Sequence, residues 1–200
     1  MLAGCGFITG SEALAFSASP ATPSDASLSE TGYEEQNVTE QHVTRNVSAA
    51  GQSRQVNVTN QQAQYERGVD LGPLGSQRAA VFVTFASPEV SVAGQTFNPI
   101  ADMSQREILA EFDSEYDGLT VGDQVESRNV STLGQSAELT QFDGTATLAG
   151  TGVDVTIQTT KVQHEGDYIV AVGIYPQLID EESNVVLLLE GLEHDAESEA

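Results

Sequence analysis

Four asparagines stand two residues ahead of a hydroxyl: Asn37-Val38-Thr39, Asn46-Val47-Ser48, Asn57-Val58-Thr59 and Asn129-Val130-Ser131. Each is an acceptor pattern for N-glycosylation in an exported protein. The same spacing places asparagine and hydroxyl on one face of a strand, so an ordinary exposed strand is the competing reading. The three histidines, His42, His164 and His194, are too scattered to match a metal-ligand spacing, and no metal site is expected. Arg78, beside an apolar run, suits either an anionic group or a neighbouring acid at a strand end. No Gly-x-Ser-x-Gly elbow, catalytic cysteine context or phosphate-cradling glycine loop occurs. Asp180-Glu181-Glu182 reads as the opening of a helix, and the other acids read as solvation rather than ligands. The chain is therefore expected to be non-enzymatic and to need no cofactor. Catalytic groups far apart in sequence would escape such a search.

Cys5 is the only cysteine, which excludes an internal disulfide. It follows Leu2-Ala3-Gly4, and Leu-Ala-Gly-Cys resembles the lipobox of secreted lipoproteins. That chemistry needs a thiol, because the sulfur carries the lipid as a thioether. Small residues at positions 3 and 4 suit a peptidase, as they do at signal cleavage sites. Cys5 is thus the expected lipidation site, and the membrane, at its extracytoplasmic face, the expected partner. One acyl chain holds a protein only marginally, so a two-chain lipid is expected. The apolar segment that a lipobox closes does not precede Leu2, which implies a start further upstream or a trimmed chain. The competing view is a cytosolic protein with an incidental Leu-Ala-Gly-Cys.

The charge balance narrows the solvent and the partners. Thirty acidic residues face seven basic ones, for a net charge of −23, and Lys161 is the only lysine. The acids are spread along the chain rather than gathered in a tail. Such a surface repels itself in dilute salt, whereas at 1 M salt the screening length falls to about 3 Å. Dispersed acid with almost no lysine reads as adaptation to brine. Nucleic acid is excluded as a partner, because phosphate binding needs clustered Lys or Arg, and direct docking on anionic lipid is disfavoured likewise. No run approaches 18 apolar residues, the length of a membrane-spanning helix.

The elements that would position these residues are mostly strands. Val43, Arg45 and Val47 alternate with polar residues, as do Val56 and Val58, and Val153, Val155 and Ile157. Ala79–Phe85 and Tyr168–Tyr175 are nearly all apolar and predict central strands covered on both sides. A phrase recurs as Val47-Ser-Ala-Ala-Gly-Gln-Ser53, Val90-Ser-Val-Ala-Gly-Gln-Thr96 and Val130-Ser-Thr-Leu-Gly-Gln-Ser136. Gly before Gln between β-formers predicts tight hairpins, with Gly at positive φ, and His164-Glu165-Gly166-Asp167 predicts another turn. Ser104 with Glu107 forms a capping box ahead of the apolar stripe Ile108, Leu109 and Phe112. A second helix is predicted over about 180–192. Residues 1–32, rich in Ser, Ala, Pro and Thr from Ser11 to Glu30, read as the lipobox remnant and a tether. Residues 33–193 read as one α+β domain, and 194–200 as an acidic disordered tail. The fold expected is a largely antiparallel sheet built from hairpins with two helices packed on it. Internal duplication and convergent hairpin chemistry explain the repeated phrase equally well.

Several phrases together carry a family resemblance: Ser19-Pro-Ala-Thr-Pro-Ser-Asp-Ala26, Leu28-Ser-Glu-Thr-Gly-Tyr33, Val69-Asp-Leu-Gly-Pro-Leu-Gly75, Gly94-Gln-Thr-Phe-Asn-Pro99 and Val170-Ala-Val-Gly-Ile-Tyr-Pro176. They resemble a haloarchaeal family of lipobox-bearing lipoproteins whose domain has no assigned function. The resemblance implies an exported protein in brine and supplies no catalytic residues. The expected role is a cell-surface domain that binds a protein, a glycan or a small hydrophobic ligand. The alternatives are an extracellular hydrolase and a lipoprotein chaperone or carrier with an apolar cavity between sheet and helices.

Overall fold

The computed structural model describes residues 13–49, 52–70, 72, 75–92, 95–115, 118–148 and 150–195. The lipidation expected at Cys5 falls outside them, as does the side chain of Arg78. The chain forms β1 (Leu14–Ser17), β2 (Thr22–Pro23), α1 (Asp25–Thr31), β3 (Glu34–Ala49), β4 (Gln52–Asp70) and β5 (Ser76–Pro88). There follow β6 (Ser91–Val92), β7 (Gln95–Thr96), a 3-10 turn (Pro99–Ala101) and α2 (Gln105–Glu115). The second half holds β8 (Thr120–Thr132), β9 (Gln135–Leu148), β10 (Thr151–His164), β11 (Asp167–Pro176), α3 (Glu182–Glu190) and β12 (Leu192–Glu193).

One eight-stranded sheet runs in the order β1-β4-β5-β11-β10-β9-β8, with β3 paired to β4. Its pairings are antiparallel except that β1 lies parallel to β4. The expected sheet of hairpins is therefore observed, with one parallel pair. The repeated Gly-Gln phrase sits at three two-residue connections, since Ala49 pairs with Gln52, Val92 with Gln95 and Thr132 with Gln135. Leu133 and Gly134 have φ of 47° and 71°, the doubly positive pair that keeps a two-residue hairpin matched to strand twist.

Strand β11 is buried along both faces, as its apolar run predicts. Ala171 and Tyr175 pack with Val185, Leu188 and Leu189 of α3. Val170 and Val172 pack from the opposite face with Ile108 and Leu109 of α2. Gly173 lets α3 close on the sheet, because a Cβ there would lie 2.9 Å from the Val185 side chain.

The ends of the chain differ from expectation. Residues 13–32, expected as tether, carry β1, β2 and α1. Ala18 and Ala21 are buried, and Ala18 donates its N–H to the Thr59 carbonyl at 2.9 Å. Helix α1 is a third helix beside the two expected. Ser24 caps it by accepting from the Ser27 N–H, and Gly32 at φ 72° ends it. Small polar composition masked these signals. At the other end, His194 is buried rather than part of a frayed tail, while residues 196–200 lie outside the described set.

Candidate functional site

A cleft opens on the α2 face of the sheet. Helix α2 packs against β8 and β10, and among the described residues the cleft separates it from the β3–β4 side of that face. The cleft has a volume of about 300 Å³, at the small end of ligand sites. Phe85 and Val170 contribute from the sheet, and Pro99, Ile100, Met103 and Ile108 from the overhanging segment. Gln41, Arg45, Gln62 and Glu111 are its polar lining. Gln41 donates to the Gln62 side-chain oxygen at 2.7 Å, so the two amides hold one another across β3 and β4. Arg45 is exposed, and its charge stands at the polar margin of an apolar floor.

Three sets of polar contacts fix the overhang. Asn98, buried, accepts from the Ile100 N–H at 2.9 Å and donates to Ser87 Oγ and the Pro88 carbonyl. Lys161 Nζ donates to the carbonyls of Ile100, Ala101 and Met103 at 3.0, 3.0 and 2.7 Å. The only lysine thus closes a turn of chain that would otherwise present bare carbonyls. The predicted capping box is formed: Ser104 N–H donates to Glu107 Oε2 at 2.7 Å, and Glu107 N–H to Ser104 Oγ at 3.3 Å. The Ser104 hydroxyl, which donates to the same Oε2 at 2.7 Å, and then the Ser104 N–H hold the Glu107 carboxyl below its usual range.

Two buried polar groupings lie elsewhere. On the α3 face, the Glu181 carboxylate pairs with Arg67 and accepts from Tyr33 Oη at 3.4 Å and Asn184 Nδ2 at 2.9 Å. Burial, then the adjacent Glu181, push the Tyr33 hydroxyl far above its ordinary range. Glu181 reads from sequence as helix-opening acid. The structure makes it a junction tying α3 to β4 and to the start of β3. The second grouping gathers two of the three histidines, correcting the expectation that they are scattered. His164 Nδ1 faces His194 Nδ1 at 3.0 Å, and His194 Nε2 meets Asp167 Oδ2 at 3.0 Å. Asp167 Oδ2 also accepts the Ser19 N–H at 2.9 Å. His42 stays apart, exposed on β3 beside Thr59 and Glu40.

Residues 20–193 match a family described as a domain of unknown function, DUF6517. The chain belongs to the DUF6517 family. No curated protein matches the chain. The DUF6517 match begins ahead of α1, so the family unit takes in the helix that composition assigns to a tether.

Within the DUF6517 fold the four sequon asparagines, Asn37, Asn46, Asn57 and Asn129, are all exposed on strands. Asn57 Oδ1 accepts from Thr44 Oγ1 at 3.0 Å across the β3–β4 pair. Sequence reasoning missed the cleft, because its lining comes from β3, β4, β5, the 3-10 turn, α2 and β11. The phrase Gly94-Gln-Thr-Phe-Asn-Pro99 leads into the overhang, yet nothing in it announces a ligand. No helix among the described residues is long and apolar enough to cross a membrane.

Proposed function

We propose that this DUF6517 domain is a non-catalytic binding domain that holds a small amphipathic ligand in the cleft between α2 and the β3–β4 side of the sheet. The ligand places its apolar body on Phe85, Val170 and Ile108 and an anionic end toward Arg45. The carrying observation is the cleft: about 300 Å³ with an apolar floor and a polar margin on one side. Burial of a short alkyl chain there gains about 0.8 kcal/mol per methylene. Arg45 adds orientation in a protein whose net charge of −23 repels anions everywhere else.

The setting proposed is the outer face of a membrane in brine, with a two-chain lipid on Cys5 and glycans on the exposed sequons. What supports it is the Leu-Ala-Gly-Cys motif, the single lysine, the dispersed acid and the exposure of all four asparagines. Lipobox-bearing, haloarchaeal kinship belongs to the same proposal. The hydrolase alternative has less support. The ring nitrogen of His194 that would need a nucleophile faces His164, and the Asp167–His194 pair lies among different residues from those lining the cleft.

The test is calorimetric titration in molar salt with decanoate, decanol and decylamine, using wild type, Met103→Trp and Arg45→Gln. Decanoate is expected to bind best, Met103→Trp to abolish binding by filling the cleft, and Arg45→Gln to erase the preference for the carboxylate. Absence of binding by all three probes, or indifference to Met103→Trp, defeats the reading.

A further inference from the structure

We infer that His164, Glu165 and His194 form a binding site for a zinc-class divalent transition metal at the β10–β11 turn, with Asp167 orienting His194. The site is independent of the cleft and shares no residue with it.

The geometry begins with the turn. Glu165 and Gly166 are the two residues between β10 and β11, with φ of 49° and 89°. A non-glycine residue at positive φ is uncommon, and here it sets the Glu165 carboxylate beside the imidazole of the preceding residue. His164 pairs in register with Asp167 across the hairpin. His194 arrives from a distant part of the chain, carried by β12, which pairs with β2 through Leu192–Pro23 and Glu193–Thr22. One ligand atom from each of His164, Glu165 and His194 lies within 4.8 Å of the others.

The hydrogen-bond pattern is that of a prepared ligand. The acceptor at His194 Nε2 is a carboxylate oxygen 3.0 Å away, so that nitrogen carries a ring hydrogen, and in the neutral imidazole Nδ1 is then the nitrogen with the lone pair. A carboxylate behind a histidine in this way fixes the tautomer and raises the basicity of the ligating nitrogen. Asp167 is itself held by the Ser19 N–H and is buried, as is His194. In that tautomer the lone pair of His194 Nδ1 faces His164 Nδ1, 3.0 Å off. Two nitrogens on one tetrahedral zinc ion, each ~2.0–2.1 Å from the metal, sit ~3.3 Å apart. Opening the pair by a few tenths of an ångström admits the ion. His164 then carries its hydrogen on Nε2, so the ring stays neutral and no proton is lost from it. Two imidazoles and a carboxylate make a three-ligand set with a further position for water, and imidazole favours zinc, copper or nickel over magnesium and calcium. His164 is half-buried and Glu165 exposed at the turn, which gives the ion a path in.

An ordinary hydrogen-bonded chain that docks the C-terminal segment is the rival account, and the experiment separates the two. Zn²⁺ is titrated into the full chain in molar KCl with excess Mg²⁺, which occupies surface carboxylates. One ion per chain is expected, with affinity reduced roughly tenfold or more in His164→Gln and 10–100-fold in Asp167→Asn. Circular dichroism of His164→Gln confirms that the variant folds. Zinc raises the melting temperature of wild type and leaves His164→Gln unchanged, and Co²⁺ gives the intense visible absorption of a four-coordinate nitrogen and oxygen site. Zinc affinity unaltered by His164→Gln, or wild-type binding no stronger than that of Ca²⁺, overturns the assignment.

Discussion

Glu181 shows how a single carboxylate can be held inside an acidic protein. Only 4% of its side chain is exposed, and Arg67, Tyr33 and Asn184 converge on it. Arg67→Ala leaves that charge buried with neutral partners alone, and is expected to cost about 3 kcal/mol by denaturant unfolding. The sequence carries Asp180-Glu181-Glu182 as three equivalent acids. Which of them turns inward depends on where β4 places Arg67, 114 positions earlier, so no local signal marks it. His164 and His194 are illegible for the same reason: their 30-residue separation says nothing until β12 pairs with β2. Glu107, by contrast, is legible, because its partner Ser104 is three residues away and the pairing is local. Its native pKa lies below the ordinary glutamate value, so the stabilisation it gives is present above that ordinary value and is lost as the pH falls through the lower native one. The stability difference between wild type and Glu107→Gln is expected to shrink over that acidic window in paired unfolding curves.

At the scale of elements, the strands and hairpin turns are readable wherever the period and the turn chemistry agree. The apolar run Tyr168–Tyr175 becomes a strand covered on both faces, and Gly134 takes the positive φ that its hairpin requires. Three hairpins of very unequal length share the Gly-Gln phrase, so the phrase reports a turn and does not by itself demand a duplicated ancestor. Helix α1 is hidden because its Ser24 cap and Gly32 stop sit in a stretch of small residues with one large apolar side chain, Leu28. Tertiary packing, through Gly191 and Ser27, stabilises a seven-residue helix that is too short to persist alone. Helix α3 approaches the sheet closely at Gly173. Gly173→Val would drive a side chain into Val185, 2.9 Å from where its Cβ would stand. A loss of about 1–3 kcal/mol is expected from overpacking, measured as a lower denaturant midpoint, and trimming the opposing residue in Gly173→Val with Val185→Ala is expected to recover part of it.

At the scale of the whole molecule, the sheet separates two faces that are packed differently. The α3 face is filled by Tyr65, Phe82, Leu188 and Leu189 and closed by α1. The α2 face is filled over β9, β10 and β11 by Leu109, Phe142, Val155 and Ile157, and among the described residues it holds the cleft toward β3 and β4. That asymmetry is the basis of the binding role proposed, and methyl NMR tests it most directly. With decanoate added to isotopically labelled chain in molar salt, saturable shifts are expected at Ile100, Met103, Ile108 and Val170, with Leu188 and Leu189 on the far face unmoved. Spectra that do not change, or shifts centred on the α3 face, would contradict the account.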